Sequence, residues 1–373
     1  MEVKKKVGVI TMHRVINYGS FLQTYATQKI INDMGFCCEI IDYKFPNEWQ
    51  YNNGLPDLRN IKTVIHDRIY PLGLLKSHRK RKSIENAIND YLDLSVEYNS
   101  PEEILNNPPE YDTYITGSDQ TWNVKHTRGD NTFLLAFSPP KSKKISFSAS
   151  MADNSLSDIY ISDFKKYLKE YSKISIRDSN ANKVIKELTG NFAEVTLDPT
   201  LALSFKEWSD FSKNKKEIYK GKKYIIFYLI THSFDPRPYI YELLLKLQKE
   251  TGLEVYSFTD IPGNQGIKYK NCSDISVEHF LQLFENASYV VTSSFHGTAF
   301  AANFGIPMYS VVNDLGCADD RQSSLLSKLN IKNCLVKVGD KFDKINPKYN
   351  IKDEQKELEK LRNITKEYLK KNI

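Results

Sequence analysis

The chain of 373 residues has five cysteines, Cys37, Cys38, Cys272, Cys317 and Cys334, with no CxxC pair and no Cys/His ligand spacing. The odd number and the spacing exclude a disulfide framework and a structural zinc site as organising devices. No apolar run approaches the roughly 20 residues that span a bilayer. The first ten residues hold no long apolar core of the kind that marks a secretory leader, so the cytoplasm is the expected location. The first strand-to-helix junction lacks GxGxxG, and nothing supports a nicotinamide cofactor. The net charge of +6 is small and dispersed along the chain. It argues against nucleic acid and suits an enzyme that handles anionic small molecules or works beside an anionic membrane face. No internal repeat or low-complexity tract is present.

What is there reads as an ordinary globular chain, 40% apolar and 26% charged, long enough for two domains. Apolar runs at 7–12, 37–43, 111–116, 144–147, 174–176 and 194–197 predict strands in the first half. Runs at 224–230, 253–258, 289–291 and 308–312 predict strands in the second. Between them, helical spacing predicts helices. Phe21, Leu22, Tyr25, Ile30 and Ile31 recur on one such face, with Gly35 as its stop. Others are expected at 83–92, from Pro101, and at 182–188, 238–251, 279–286, 321–326 and 352–371. Strand alternates with helix, which predicts the α/β class in two halves. The predicted division is a domain at 1–205, a linker at 206–222, a domain at 223–340 and a terminal helix within 341–373 that packs back. The basic run Lys76 to Lys82 reads as a solvated helix face.

In doubly wound sheets, ligands sit beyond the carboxyl ends of the strands. Several polar loops fall there: Asn17 to Ser20, Gly117 to Asn123, Ser148 to Ser150, Arg177 to Ser179, and Asp198 to Thr200. The stretch 289–312 stands out. A strand ends in Thr292, Ser293 and Ser294, Phe295 and His296 follow, Gly297 opens a short helix at 298–303, and Gly305-Ile306-Pro307 stops it before the next strand. A helix N-terminus in such a loop offers N–H groups and partial positive charge to a phosphate or carboxylate.

Six segments occur in order: Asn17-Tyr18-Gly19-Ser20-Phe21-Leu22-Gln23, Gly117-Ser118-Asp119-Gln120-Thr121-Trp122-Asn123, Arg177-Asp178, Leu197-Asp198-Pro199-Thr200, Ser293-Ser294-Phe295-His296-Gly297 and Arg321-Gln322-Ser323-Ser324-Leu325-Leu326. Together they resemble the polysaccharide pyruvyl transferase family over residues 7–335. The resemblance implies two Rossmann-like doubly wound domains facing a cleft, similar to the GT-B architecture. It implies a reaction in which phosphoenolpyruvate places a pyruvate ketal on two hydroxyls of a sugar and phosphate leaves. The acceptor would be an exopolysaccharide or cell-envelope glycan, or its lipid-linked precursor, with the inner face of the plasma membrane as an alternative place of work. No metal or cofactor is expected beyond phosphoenolpyruvate as donor. Arg177 matches a family arginine that holds the donor, and His296 matches the histidine of an Arg-x-His motif. Ser294 departs from that motif, which has arginine there. A serine cannot grip an anion bidentately, and Arg321, His13 or Arg14 would have to take its place.

The reaction needs an acid, a base and an anion cradle. His296 can serve as acid or anion ligand, or can be a packing histidine that bonds the loop backbone. Arg177 can grip carboxylate or phosphate, or brace its domain against Asp178 or another acid. Asp119 can take the acceptor proton, or cap the following turn. Asn17, Tyr18, Gly19 and Ser20 can line the acceptor side or simply begin a helix. Ser118 and Gln120 join that side, while Ser294, Gly297, Thr298 and Arg321 form the expected donor side. Trp122, Tyr18 and Phe295 can stack on a sugar or pack in a core. Two further readings stay open: a GT-B-like glycosyltransferase with a nucleotide-sugar donor, and a non-catalytic glycan-binding relative.

Overall fold

The computed structural model describes residues 4–45, 71–231, 234–314, 321–344 and 347–373; Cys317 lies outside them. The chain forms two compact units. The first gathers Met1–Asn53, Ile84–Leu203 and Leu361–Ile373, and the second gathers Gly54–Ser83 and Ser204–Lys360.

The first unit is built on β1 (Lys6–Ile10), β2 (Cys37–Ile40), β3 (Thr113–Thr116) and β4 (Lys143–Ser146), a parallel sheet in the order β2-β1-β3-β4. Val9 sits opposite Ile40 on one side and Ile115 on the other. Both faces of such a central strand are covered, so the runs are continuously apolar rather than alternating. A two-stranded parallel pair, β5 (Ser175–Ile176) and β6 (Glu194–Val195), continues from β4 through bridges Ile145 to Lys173 and Ala149 to Ile176. From β1 the chain first goes to β2 on one side and later to β3 on the other, so strand order reverses between β1 and β3. The core on one side of this sheet includes Ile10, Tyr114, Trp122, Phe133 and Phe164.

The second unit carries β7 (Tyr224–Tyr228), β8 (Glu254–Ser257), β9 (Tyr269–Asn271), β10 (Tyr289–Thr292), β11 (Met308–Val312) and β12 (Leu335–Lys337). They are parallel, in the order β12-β11-β10-β7-β8-β9. Here the order reverses between β7 and β10. An aromatic cluster packs helices on this sheet: Phe258 and Phe280 rings lie 4.7 Å apart, Phe280 and Phe300 5.7 Å, and Trp208 and Phe300 5.6 Å.

Several expectations need revision. The short strands β9 and β12 were not predicted; Tyr-Lys-Asn and Leu-Val-Lys lack a pattern of their own and are strands because a neighbour's edge pairs with them. The stretch 206–222 opens with a helix, Phe205–Ser212, where Ser204 and Glu207 form a capping box and Trp208 is buried. The basic run lies within the helix Pro71–Tyr91, and part of it is paired: Arg79 Nε is 2.9 Å from Asp274 and Lys76 Nζ 3.6 Å from Asp260. The terminal helix, Ile351–Asn372, gives its turns through Lys360 to the second unit and its last turns to the first. Among the described residues, no helix is long and apolar enough to cross a membrane.

Candidate functional site

At the switch point of the second unit, the loops after β7 and β10 are stitched together. Ser293 Oγ donates to Ile230 O at 2.7 Å and accepts from Ile230 N at 2.9 Å. Thr292 Oγ1 donates to Tyr228 O at 2.7 Å and accepts from Ser294 N at 2.9 Å. The helix begins at Phe295, before the predicted start, and runs to Asn303 with Ser294 as its N-cap, whose Oγ accepts from Gly297 N at 3.2 Å. The cap moves the start because a side-chain acceptor replaces the missing turn. Gly297 has to be glycine: a Cβ there would run into Thr292 Oγ1 and come within 3.1 Å of the Tyr228 ring. Thr298 is fully buried, with Oγ1 2.7 Å from Ser310 Oγ.

His296 is 7% exposed and packs edge-on to Phe295, ring centroids 5.4 Å apart. The Arg321 guanidinium lies 5.9 Å from the Phe295 ring centroid, so a cation from a separate helix reaches the loop that has serine at position 294. The neighbouring Gln322 fixes that helix, donating to Ser293 O at 3.1 Å and Val311 O at 3.4 Å. This Gln322 contact was not among the expected site residues, although the residue stood in the Arg321 motif.

At the switch point of the first unit, Asn17 caps the helix Tyr18–Asp33, accepting from Gly19 N at 2.8 Å, and Tyr18 is fully buried. Asn17 and Tyr18 are therefore used at least in part by the fold. Across from them is the loop after β3. Asp119 takes a left-handed φ of 70° there, and its Oδ2 accepts from Ser20 Oγ at 2.6 Å. Its Oδ1 accepts from Gln120 N at 2.9 Å and lies 3.6 Å from Arg177 Nη2. Gln120 Oε1 accepts from Asn123 Nδ2 at 2.7 Å. Ser118 and Asp198 complete the layer: Ser118 Oγ donates to Asp198 Oδ2 at 3.0 Å.

Arg177 is 5% exposed and lies among three carboxylates. Nη1 donates to Asp198 Oδ2 at 2.5 Å, Nε is 3.5 Å from Asp178 Oδ1, and Nη2 faces Asp119. Asp198 also accepts from Thr200 N at 3.0 Å and Thr200 Oγ1 at 2.6 Å, and Asp178 accepts from Ser150 Oγ. Of the two readings of Arg177, the structure displays the brace. Of the loop Asn17 to Ser20, Ser20 is the residue whose side chain reaches Asp119. Among the described residues, no group of three or more His, Cys, Asp or Glu is disposed to hold a metal ion.

His13 and Arg14, expected as alternative anion ligands, are engaged on Asp42. His13 Nε2 is 3.0 Å from Oδ1, Arg14 Nε donates to the same oxygen at 2.7 Å, and Arg14 Nη2 pairs with Oδ2. Burial pushes the Asp42 carboxyl up, but these hydrogen bonds and charges outweigh it and hold the group well below the usual carboxylate range. Of the aromatics, Trp122 is core, its Nε1 donating to Phe133 O at 3.2 Å.

The profile of the polysaccharide pyruvyl transferase family matches residues 17–314 of this sequence. No curated protein matches it significantly. Among solved structures, UDP-N-acetylglucosamine 2-epimerase from Rickettsia bellii is similar at a TM-score of 0.54 and 10% identity, covering 99% of this chain and 95% of that one. A Listeria monocytogenes protein assigned as the same kind of epimerase has a TM-score of 0.54 at 10% identity over 96% of this chain and 91% of its own. The epimerase from Methanocaldococcus jannaschii has a TM-score of 0.50 at 11% identity over 96% and 99%. At these identities the likeness establishes a GT-B-like fold of two Rossmann-like units, and nothing finer.

Proposed function

The chain belongs to the polysaccharide pyruvyl transferase family, and from that premise we propose that it moves the pyruvyl group of phosphoenolpyruvate onto two hydroxyls of a sugar as a cyclic ketal. The observation that carries this reading is the opposite chemistry of the two switch points. In the second unit a capped helix start, His296 and Arg321 gather donors and positive charge. In the first unit three carboxylates surround a single guanidinium. A doubly anionic donor suits the former; a neutral polyol that must lose protons suits the latter.

In this scheme C3 of the enol takes a proton and C2 gains oxocarbenium character. One sugar hydroxyl adds to C2 and gives up its proton. The second hydroxyl then displaces phosphate and closes the ketal. Two hydroxyl protons are lost; one is matched by the methyl group formed at C3, and the other leaves with phosphate. His296 is the group suited to supply the C3 proton, since an imidazole can carry a proton on one ring nitrogen and release it. Arg321 takes the donor's anionic groups in place of the arginine that position 294 lacks. Asp119 accepts the proton of the attacking hydroxyl, with Ser20 and Arg177 fixing its carboxylate; Arg177 is thus a positioning residue. Gln120 and Asn17, both partly exposed, line the acceptor side, while Ser118 is buried behind them on Asp198. The acceptor is a cell-surface glycan or its lipid-linked precursor, processed at the inner face of the plasma membrane.

The test is phosphate release from phosphoenolpyruvate by purified protein in the presence of soluble and lipid-linked glycans. Asp119→Asn and His296→Ala should each lower the rate by about 100-fold or more. Absence of phosphate release with every acceptor, together with thermal stabilisation by nucleotide sugars and not by phosphoenolpyruvate, would favour a glycosyltransferase and overturn the reading.

A further inference from the structure

A cleft of about 510 Å³ opens in the first unit, apart from the residues around Asp119. Its volume falls in the range of roughly 300 to 1,000 Å³ typical of small-ligand sites. Its two walls differ. One is apolar: Phe45, Phe137 and Tyr167 line it, and Leu105, 58% exposed, is among the same lining residues. The other is a single polar loop, 127–132.

That loop is fixed by its own bonds. Arg128 and Gly129 are both left-handed, at φ 53° and 73°. Asp130 Oδ2 accepts from Tyr43 OH at 2.6 Å, and Oδ1 accepts from Thr132 N at 2.9 Å. Asn131 Nδ2 donates to Asp163 Oδ2 at 3.0 Å, which sets the orientation of its amide. Its carbonyl, Oδ1, is buried and finds no donor among the described residues. A buried acceptor without a donor costs about 1 to 3 kcal/mol. Arg128, on the same loop, is exposed, and no ion pair involves it among the described residues. The cleft therefore combines aromatic surface, an acceptor without a donor and a guanidinium without a carboxylate.

We propose that this cleft is a saccharide subsite, holding a pyranose unit of the acceptor glycan other than the one that receives the ketal. The proposal rests on the glycan-acting reading above. The C–H faces of a pyranose pack on aromatic and aliphatic surface, and its hydroxyls can donate to Asn131 Oδ1 and accept from Arg128. Neither a nucleotide nor phosphoenolpyruvate, each with two or more anionic charges, matches a cleft lined by a single cation, Arg128. Short neutral oligosaccharides of hexose and N-acetylhexosamine units are the probe, read by saturation-transfer NMR and titration without phosphoenolpyruvate.

An oligosaccharide in the panel should bind, and Arg128→Ala and Asn131→Ala should each weaken it about tenfold. Leu105→Ala removes an exposed side chain and should weaken it without loss of fold, as a thermal melt checks. Absence of binding across the panel, or binding untouched by all three cleft substitutions, overturns the subsite. The readouts separate the two readings. A failed ketal reaction shows as missing phosphate release and leaves this binding intact, whereas a failed subsite leaves phosphate release intact.

Discussion

Arg177 Nη1 stands 2.5 Å from Asp198 Oδ2, and that contact decides how the first unit's switch point is organised. A guanidinium with one edge committed to Asp198 and its remaining nitrogens facing Asp119 and Asp178 is a strut for the acid loop. Arg177→Ala leaves three buried carboxylates without their cation. It should cost about 3 to 5 kcal/mol in chemical denaturation. Arg177→Lys supplies one point charge where a fork is needed and should recover only part of that. If the variant instead folds with unchanged stability and shows only a raised KM for phosphoenolpyruvate, Arg177 is a donor ligand and not a strut.

Ser294 and Arg321 should separate by readout. Ser294 caps the helix Phe295–Asn303, so Ser294→Ala should lower stability by about 1 kcal/mol. Arg321 touches the loop through the Phe295 face, a contact worth at most about 1 kcal/mol at an accessible site. Arg321→Ala should raise the KM for phosphoenolpyruvate about tenfold or more, as steady-state kinetics on the folded variant would read. An unchanged KM would remove Arg321 from the donor site.

Gly297→Ala puts a methyl group against Thr292 Oγ1, the atom that ties β10 to Tyr228 O and Ser294 N. Helix and strand would have to part, at a cost of about 1 to 3 kcal/mol in urea unfolding. The reaction should slow as well, because His296 is the preceding residue on the displaced turn. Wild-type stability in this variant would mean that the close approach of helix and strand is not real.

Asp42 makes a prediction in pH. Its carboxyl stays ionised in the folded state below 3.8, the ordinary value at which the unfolded chain takes up the proton. Its stabilising contribution is therefore complete at neutral pH and is lost as pH falls below about 4. Asp42→Asn should be less stable than wild type by about 3 kcal/mol at pH 7. The gap should narrow steadily on acidification toward pH 3. A gap that stays constant over that range would show that Asp42 is not held ionised by His13 and Arg14.

Much of this protein was legible one segment at a time. Apolar runs long enough for buried parallel strands named β1, β3, β7, β10 and β11, and Met308–Val312 emerged with the expected bounds. Gly190, at φ 84°, ends its helix as its place in the sequence implied. Asn17, at the expected loop-to-helix junction, caps the helix Tyr18–Asp33. In each case the cause is local: a side chain within three positions, or the covering of a strand on both faces, and neither depends on the rest of the chain.

Other features required the folded chain. β9 and β12 exist through the strands they pair with, since three residues carry too little pattern to specify a state. Strand order, and with it the two reversals at β1/β3 and β7/β10, follows from how helices cover the sheets. The bonding of Arg177 depends on Asp119 and Asp198, which lie far along the chain and reach it only after β3 and β5 are set in place. The same holds for Arg321 at the Phe295 ring and for Arg14 on Asp42. The sequence by itself determined the longer strands and helices and the family. Only the tertiary structure decided which charges neutralise each other, because an ion pair between distant segments forms where packing brings them, and burial then makes it costly to break.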